Sequence, residues 1–382
     1  MIDFSLTGEQ LAIQQTARDF ARKEIVPAAA EYDSSGDFPQ DIINKAFRAG
    51  LVYAAIPEEY GGGGLSALDQ LVLVEELAAG CSGICACIAI NSLAAIPLVH
   101  FGTENQKQKY LAKVCAEEKL LALCVTEPEA GSDVSSIGTT AKKQGDGYLI
   151  RGNKTFITNG GVADYYVVFA SVDRSLGYKG ITCFLVPRET EGLSVGKKED
   201  KMGQRAANTT DVIFDDVIIP VENRIGEEGR GFKIIMQTFN HSRPGVGAAA
   251  VGVARSAMEH AIKYAGEREQ FGLPIMMHQA VMFMLADMAR DIEAGRLLSW
   301  QAAWKTDRGL DNSKEAAIAK VFCGDMVMRV TTDAAQVFGG YGYSKEYPVE
   351  KLMRDAKVFQ IYEGTTQIQR LLIGRALLKE YF

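Results

Sequence analysis

The hydrophobic period changes twice along this chain, and that change limits its architecture more than any other feature. From residue 142, "KKQGDGYLIRGNKTFITNGG" breaks into short strand-forming runs separated by Gly-Asp-Gly, Gly-Asn and Asn-Gly-Gly turns. "YYVVFASV", "ITCFLV" and "TTDVIFDDVIIP" continue the pattern with β-branched and aromatic residues. A compact antiparallel β domain is expected over residues 121–230. On both sides the apolar residues recur at helical spacing. In residues 1–120, Thr7 can cap a helix carrying Leu11, Ala12, Ala17 and Phe20 on one side. In residues 231–382, Val253, Ala257, Ala261 and Tyr264 mark one long helix, and "HQAVMFMLADMARDIEAGRLLSWQAAW" marks another. Two more are expected over 316–338 and 366–378, which together predict a four-helix bundle. Helices, then sheet, then helices is an α+β arrangement. No internal repeat, low-complexity tract or long linker interrupts it.

The 382 residues, 47% hydrophobic and 23% charged, have ordinary globular composition and enough length for a large core. A net charge of −7 argues against nucleic acid as a partner. No run of about 18 apolar residues stands out, which argues against a membrane span. The opening "MIDFSLTGEQ" lacks a basic region followed by an apolar one, so secretion is not expected. Seven cysteines include no CxxC pair, and Cys81, Cys85 and Cys87 sit among Gly, Ala and Ile with no His nearby. Buried free thiols and a cytoplasmic location follow, with no metal. Gly61 to Gly64 lacks a following Gly-Lys-Ser/Thr and reads as a flexible turn rather than a phosphate loop. No GxGxxG lies between a strand and a helix, and no GxSxG, HExxH or kinase set occurs. Four histidines supply a triad or metal cluster poorly.

Polar clusters remain in "CVTEPEAGSDVSS" (124–136), "FITNGG" (156–161), "NHSRPG" (240–245), "REQFG" (268–272), "QVFGGYGY" (336–343) and "YEGTTQ" (362–367). Glu363 lies just before an apolar helical face begun by Ile368, Leu371 and Leu372, with Thr366 and Gln369 at capping-box spacing. Such a carboxylate can complement a helix dipole, face solvent or act as a base. Arg268 can be a solvated helix charge or a phosphate ligand.

These motifs, in this order and over the whole chain, resemble the FAD-dependent acyl-CoA dehydrogenase family. The resemblance implies a helical N-terminal domain, a middle β domain and a C-terminal helical bundle. It implies FAD as cofactor, a homotetramer built as a dimer of dimers, and an electron-transferring flavoprotein as acceptor. Leu123, Val125, Thr126, Gly131 and Ser132 resemble the loop against the flavin and its phosphates, with Ser132 also near substrate. Phe156 and Thr158 resemble the aromatic shield of the flavin ring and the hydroxyl near its N5, although this slot often carries Trp. Arg268, Phe271, Gln279, Gln336, Gly339 and Gly340 resemble residues that reach the adenosine half of FAD in a neighbouring subunit. Thr365 and Gln367 are assigned to the cofactor by the same match.

Asn240 and Arg243 resemble the segment that contacts the pantetheine and phosphate arm of an acyl-CoA. Tyr362 and Gly364 flank the reacting thioester. Glu363 then becomes the base that removes the α-proton while the β-hydride passes to the flavin. Some relatives place the base at the slot held here by Ser242, which has no basicity near neutral pH. The reaction implied is α,β-dehydrogenation of an acyl-CoA to a 2,3-enoyl-CoA. Alternatives are a dehydrogenase of a cyclic acyl-CoA, of the cyclohexane- or cyclohexene-carboxyl type, and a redox-neutral eliminating enzyme. Asn91 breaks the apolar run "CIAINSLAAI" beside the implied acyl pocket. It either satisfies itself on backbone or faces the acyl chain, where it would disfavour long straight tails.

Overall fold

The computed structural model describes residues 4–382. The N-terminal helices are α1 Gly8–Phe20, α2 Ala29–Ser35, α3 Gln40–Arg48, α4 Ala67–Gly80, α5 Ser82–Phe101, α6 Glu104–Gln106 and α7 Ala112–Ala116. Thr7 starts α1 as expected: its hydroxyl accepts the Gln10 N–H at 3.2 Å, and the Gln10 side chain accepts the Thr7 N–H at 3.1 Å. Ser66 and Asp69 repeat the device at α4.

Two expectations fail here. Helix α5 does carry an 18-residue stretch of mean hydropathy 2.0, long and apolar enough to cross a membrane. It is a core helix instead: Ile84, Cys87, Ile88, Ala94 and Leu98 are buried where α5 meets α4, β1 and the long helix that follows the sheet. The four-glycine loop is not a loose turn. A Cβ at Gly62 would lie 2.1 Å from the Ile56 carbonyl oxygen, so the glycine is required for close packing.

The sheet contains β1 Leu121–Cys124, β2 Thr140–Gln144, β3 Gly147–Thr158, β4 Tyr165–Ser171, β5 Ile181–Pro187, β6 Leu193–Lys198, β7 Thr209–Pro220 and β8 Arg224–Ile225. Its order is β6-β7-β3-β2-β4-β5-β8, with β1 alongside β4. Most pairs are antiparallel, but β1 runs parallel to β4, as does the short β2–β4 contact. The long excursion between them, residues 125–164 with β2 and β3, makes this possible, since parallel neighbours need a crossover rather than a hairpin. Residues from β1 to β5 and β7 enclose one core, including Cys124, Tyr148, Tyr166, Phe184 and Phe214. A sheet curled around its own interior explains that shared core.

The C-terminal helices are α8 Gly231–Glu267, α9 Gln279–Asp307, α10 Ser313–Phe338, α11 Val349–Ala356 and α12 Thr366–Tyr381. A small hairpin of β9 Glu269–Gln270 and β10 Leu273–Pro274 joins α8 to α9. Buried acids on α4 tie the two helical regions together. Glu76 accepts from Arg18 of α1 at 2.8 Å and from Arg255 of α8 at 2.7 Å. Glu75 accepts a two-point bond from Arg296 of α9 at 2.9 and 3.0 Å.

Candidate active site

The site forms where the chain between α11 and α12 turns against α8 and α10. Glu363 has φ 52 and Gly364 has φ 93, so two successive residues are left-handed. For a glutamate that backbone is uncommon and costs roughly 1–3 kcal/mol unless neighbours enforce it. A Cβ at Gly364 would fall 2.5 Å from Gln369 Nε2 and 3.5 Å from Arg243 Nη2, so a side chain there would displace Gln369, and φ 93 already disfavours any residue but glycine. The turn ends at Thr365, which is extended at φ −56, ψ 159, and caps α12 through an Ile368 N–H bond of 3.3 Å. The expected Thr366–Gln369 box is therefore displaced by one residue. Gln369 points back instead and donates to Gly364 O at 3.0 Å and Glu363 O at 3.3 Å.

The Glu363 carboxylate accepts a short hydrogen bond from the Ser242 hydroxyl on α8. Burial raises its proton affinity; the Ser242 bond and the positive charges of Arg243 and Lys320 oppose that rise without cancelling it. Among the described residues, the Glu363 N–H has no acceptor.

Arg243 differs from the expected contact with the CoA arm. It is buried, donating Nε to Glu363 O at 3.3 Å and Nη1 to Asn240 Oδ1 at 3.1 Å. A guanidinium used in this way braces the Glu363 turn, and the Asn240 amide oxygen is spent on it. The next residue, Pro244, lies inside α8 and cannot donate to the Asn240 carbonyl. Asn312 Nδ2 fills that vacancy at 2.9 Å, holding the helix intact at the site.

Asn91 does not line an acyl pocket. Its amide nitrogen donates to Cys87 O at 2.8 Å and Ile88 O at 3.1 Å, and its oxygen accepts the Leu121 N–H at 2.8 Å. It is fully buried and joins α5 to the first strand. Every polar atom is committed to backbone, so none is left for substrate.

Two groups at the site escaped the sequence reading. Lys320 of α10 is 0% exposed and donates to Gly364 O at 2.6 Å. Gln369 is the other. A signal existed for the lysine: Lys320 is the single charge in "EAAIAKVFCG" on the side shared by Ala316, Ala317 and Cys323, all buried.

A second cluster lies on the sheet. The β3–β7 register slips between Lys154 and Ile157, a bulge that carries Phe156 at φ 56. The bulge turns the Phe156 ring outward, where it is 63% exposed. The 126–132 loop is held beside it by Thr155 N–H to Thr126 O, 2.9 Å. Below, buried Lys154 donates to Glu127 at 2.7 Å and to Val125 O at 3.0 Å, while Glu127 accepts the Thr139 N–H at 3.0 Å. Leu123 belongs to β1.

Three family models match: Acyl-CoA dehydrogenase N-terminal domain over residues 7–118, middle domain over 122–217 and C-terminal domain over 229–378. A short-chain specific acyl-CoA dehydrogenase of Clostridium acetobutylicum is 44% identical, covering 99% of this chain and 100% of the relative. Butyryl-CoA dehydrogenase from Megasphaera elsdenii superposes with a TM-score of 0.96 at 44% identity, covering 99% and 100%. A chain from the structure of the electron transferring flavoprotein of Acidaminococcus fermentans gives 0.97 at 46%, with the same coverage. The chain belongs to the acyl-CoA dehydrogenase family.

An acyl-CoA dehydrogenase uses FAD, and the sheet-side cluster fits that group. Phe156 is exposed, and the hydroxyls of Thr158 two residues along β3 and of Thr126 and Ser132 on the adjoining loop make no bond within the described residues. Such a set offers a flat apolar surface with polar donors at its edge, as an isoalloxazine ring requires. The remaining assigned residues lie elsewhere on the dehydrogenase. Arg268 sits over the Tyr341 ring at 6.0 Å, and Phe271 meets His278 edge-on at 5.9 Å. Gln279, Gln336, Gly339 and Gly340 are exposed at the same end of the bundle. Along α8, Arg268 is 25 residues beyond Arg243, about 37 Å at 1.5 Å per residue. Thr365 is occupied as the α12 cap, and Gln367 is exposed next to it.

Proposed function

We propose that this acyl-CoA dehydrogenase converts short-chain acyl-CoA thioesters to 2,3-enoyl-CoA products, with Glu363 as the base that takes the α-proton. The observation that carries the reading is the Glu363 carboxylate. It is presented on a turn that three side chains hold by its carbonyl oxygens, and burial raises its proton affinity. A base whose pKa is lifted toward working pH accepts a proton more readily. The unspent Glu363 N–H is suited to the thioester oxygen, where negative charge develops as the proton leaves. Bound FAD supplies the acceptor for the hydride leaving the β-carbon. Thr126, Gly131, Ser132, Phe156 and Thr158 orient that cofactor, and Tyr362 and Gly364 frame the thioester.

Short chain length is supported by the Clostridium acetobutylicum enzyme, named short-chain specific, and by the Megasphaera elsdenii butyryl-CoA dehydrogenase. An electron-transferring flavoprotein receives the electrons; the 46% identical chain from the Acidaminococcus fermentans structure supports this. The enzyme is a cytoplasmic homotetramer in this reading. Arg268, Phe271, Gln279, Gln336, Gly339 and Gly340 then reach the adenosine half of a neighbour's FAD, consistent with their distance along α8 from the Glu363 site. Asn91, used entirely on backbone, gives no support to a cyclic substrate.

Anaerobic mixing of holoenzyme with acyl-CoAs of increasing chain length tests the reading. Bleaching of the oxidised-flavin band should be fastest with butyryl-CoA and fall steeply toward palmitoyl-CoA. Faster bleaching by palmitoyl-CoA would reject the short-chain assignment, and no bleaching by any saturated acyl-CoA would reject dehydrogenation.

A further inference from the structure

Lys320 is a buried charge that the reaction as described does not use. Around it α10 contributes Ala316, Ala317, Ala319, Cys323 and Gly324, all buried. Taking an ammonium out of water is expensive unless it gains strong partners. Within the described residues its hydrogen-bonding partner is a single carbonyl, that of Gly364. If that bond alone mattered, a neutral amide would serve with less penalty.

The charged groups facing it explain the ammonium. From the turn comes Glu363 and from α8 comes Arg243, both close enough to act on its charge. From α10 itself comes Asp325, which is engaged by Gln360 at 2.7 Å and Arg370 at 2.6 Å. Glu363 is therefore the acidic neighbour left for Lys320 to balance.

We propose that Lys320 is a positioning residue for the proton transfer: its ammonium pins the Gly364 carbonyl, fixes the left-handed turn carrying Glu363, and holds positive charge behind the carboxylate. The negative charge begins on Glu363 and moves to the thioester oxygen as the α-proton is transferred. A fixed cation behind the turn is near that charge at both ends of the step. Arg243 grips the preceding carbonyl from the α8 side, and Gln369 touches both. The two carbonyls are thus occupied by donors from α8, α10 and α12, while the Glu363 N–H has no acceptor among the described residues.

Burial lowers the Lys320 pKa to about 8, against the pull of Glu363. Its charge is present at neutral pH and is lost within the range where enzyme assays are run. Removing the charge removes one of the restraints on Glu363, whose proton affinity then rises further.

This inference rests on Glu363 being the base, and the test separates the two. Flavin reduction by butyryl-CoA is followed against pH for wild type, Glu363→Gln, Lys320→Gln and Lys320→Met holoenzymes, with bound flavin and melting temperature measured for each. Lys320→Gln keeps a donor for Gly364 and loses the charge; Lys320→Met loses both. Both lysine variants should show the acid limb of the profile displaced to higher pH. Lys320→Met should also lose about tenfold at the plateau, the lower range for a charge-assisted hydrogen bond. Acid limbs coincident with wild type in both variants would overturn the proposal, whatever their melting temperatures. Wild-type reduction rates in Glu363→Gln would overturn the base assignment and the proposal with it.

Discussion

At the scale of single residues, Glu363 is pulled in opposite directions. Burial raises its proton affinity, while Ser242, Arg243 and Lys320 restrain the rise. The acid limb of activity should accordingly lie above the ordinary carboxylate range of about 4.3. Asn91 shows how a polar residue in an apolar helix can be purely structural. Asn91→Asp would replace a donor to Cys87 O and Ile88 O with an acceptor. The loss of two buried bonds should cost about 2–4 kcal/mol and lower the melting temperature. Flavin reduction against pH should keep its wild-type shape; a displaced profile, or a new product with a cyclic enoyl-CoA, would place Asn91 at the substrate after all. Glu363 was legible as a candidate because "YEGTTQ" falls in a motif set matched along the chain. Its partners were not: Ser242 is 121 residues away in sequence and Lys320 is 44 from the carbonyl it holds. Arg243 was legible as a site residue, but its direction was not. Only the fold reveals that it turns inward to Glu363 O.

At the scale of elements, α4 joins the two helical regions through its buried acids. Burial acts to raise the Glu76 pKa, but the bonds from Arg18 and Arg255 outweigh it, and the net shift is downward. A depressed carboxylate contributes stability above its unfolded pKa and loses it as pH falls through the folded value. Glu76→Gln removes the acid paired to Arg18 and leaves Arg255 only its longer contacts to Glu75 and Glu259, and should destabilise the protein by roughly 3 kcal/mol at neutral pH. Urea denaturation at pH 7 and pH 4 checks this: the gap between wild type and variant should narrow in acid, and a pH-independent gap would contradict the linkage. Elements fixed by local chemistry were readable, as with the Thr7 cap and the helices now seen over 231–267, 279–307, 313–338 and 366–381. Features set by distant partners were not. Helix α5 looks membrane-like until α4, α8 and β1 are packed around it. The parallel pairing of β1 with β4 depends on a chain excursion that period-two patterning does not encode. The displaced α12 cap depends on Gly364 being left-handed.

For the whole molecule, the candidate site lies where helices from the C-terminal region meet, while the Phe156 bulge comes from the sheet between the two helical regions. Helix α8 links the Ser242–Arg243 segment to Arg268 and the exposed aromatics Phe271 (95%) and Tyr343 (96%) at the far end. Rings so exposed on a single chain suit a surface that another copy covers. The change of period between the helical and strand regions made this architecture legible, because each region buries its own apolar face. Which surface would meet a second chain is not legible from period or composition, since no local pattern states it. The central claim is that Glu363 removes the α-proton, and rapid-mixing reduction of the Glu363→Gln holoenzyme by butyryl-CoA tests it most directly. Gln has nearly the same shape and cannot accept the proton as a base. The variant should retain FAD and bind the thioester, and flavin reduction should slow by at least about 100-fold. Reduction at close to the wild-type rate, with FAD and substrate bound, would contradict the assignment.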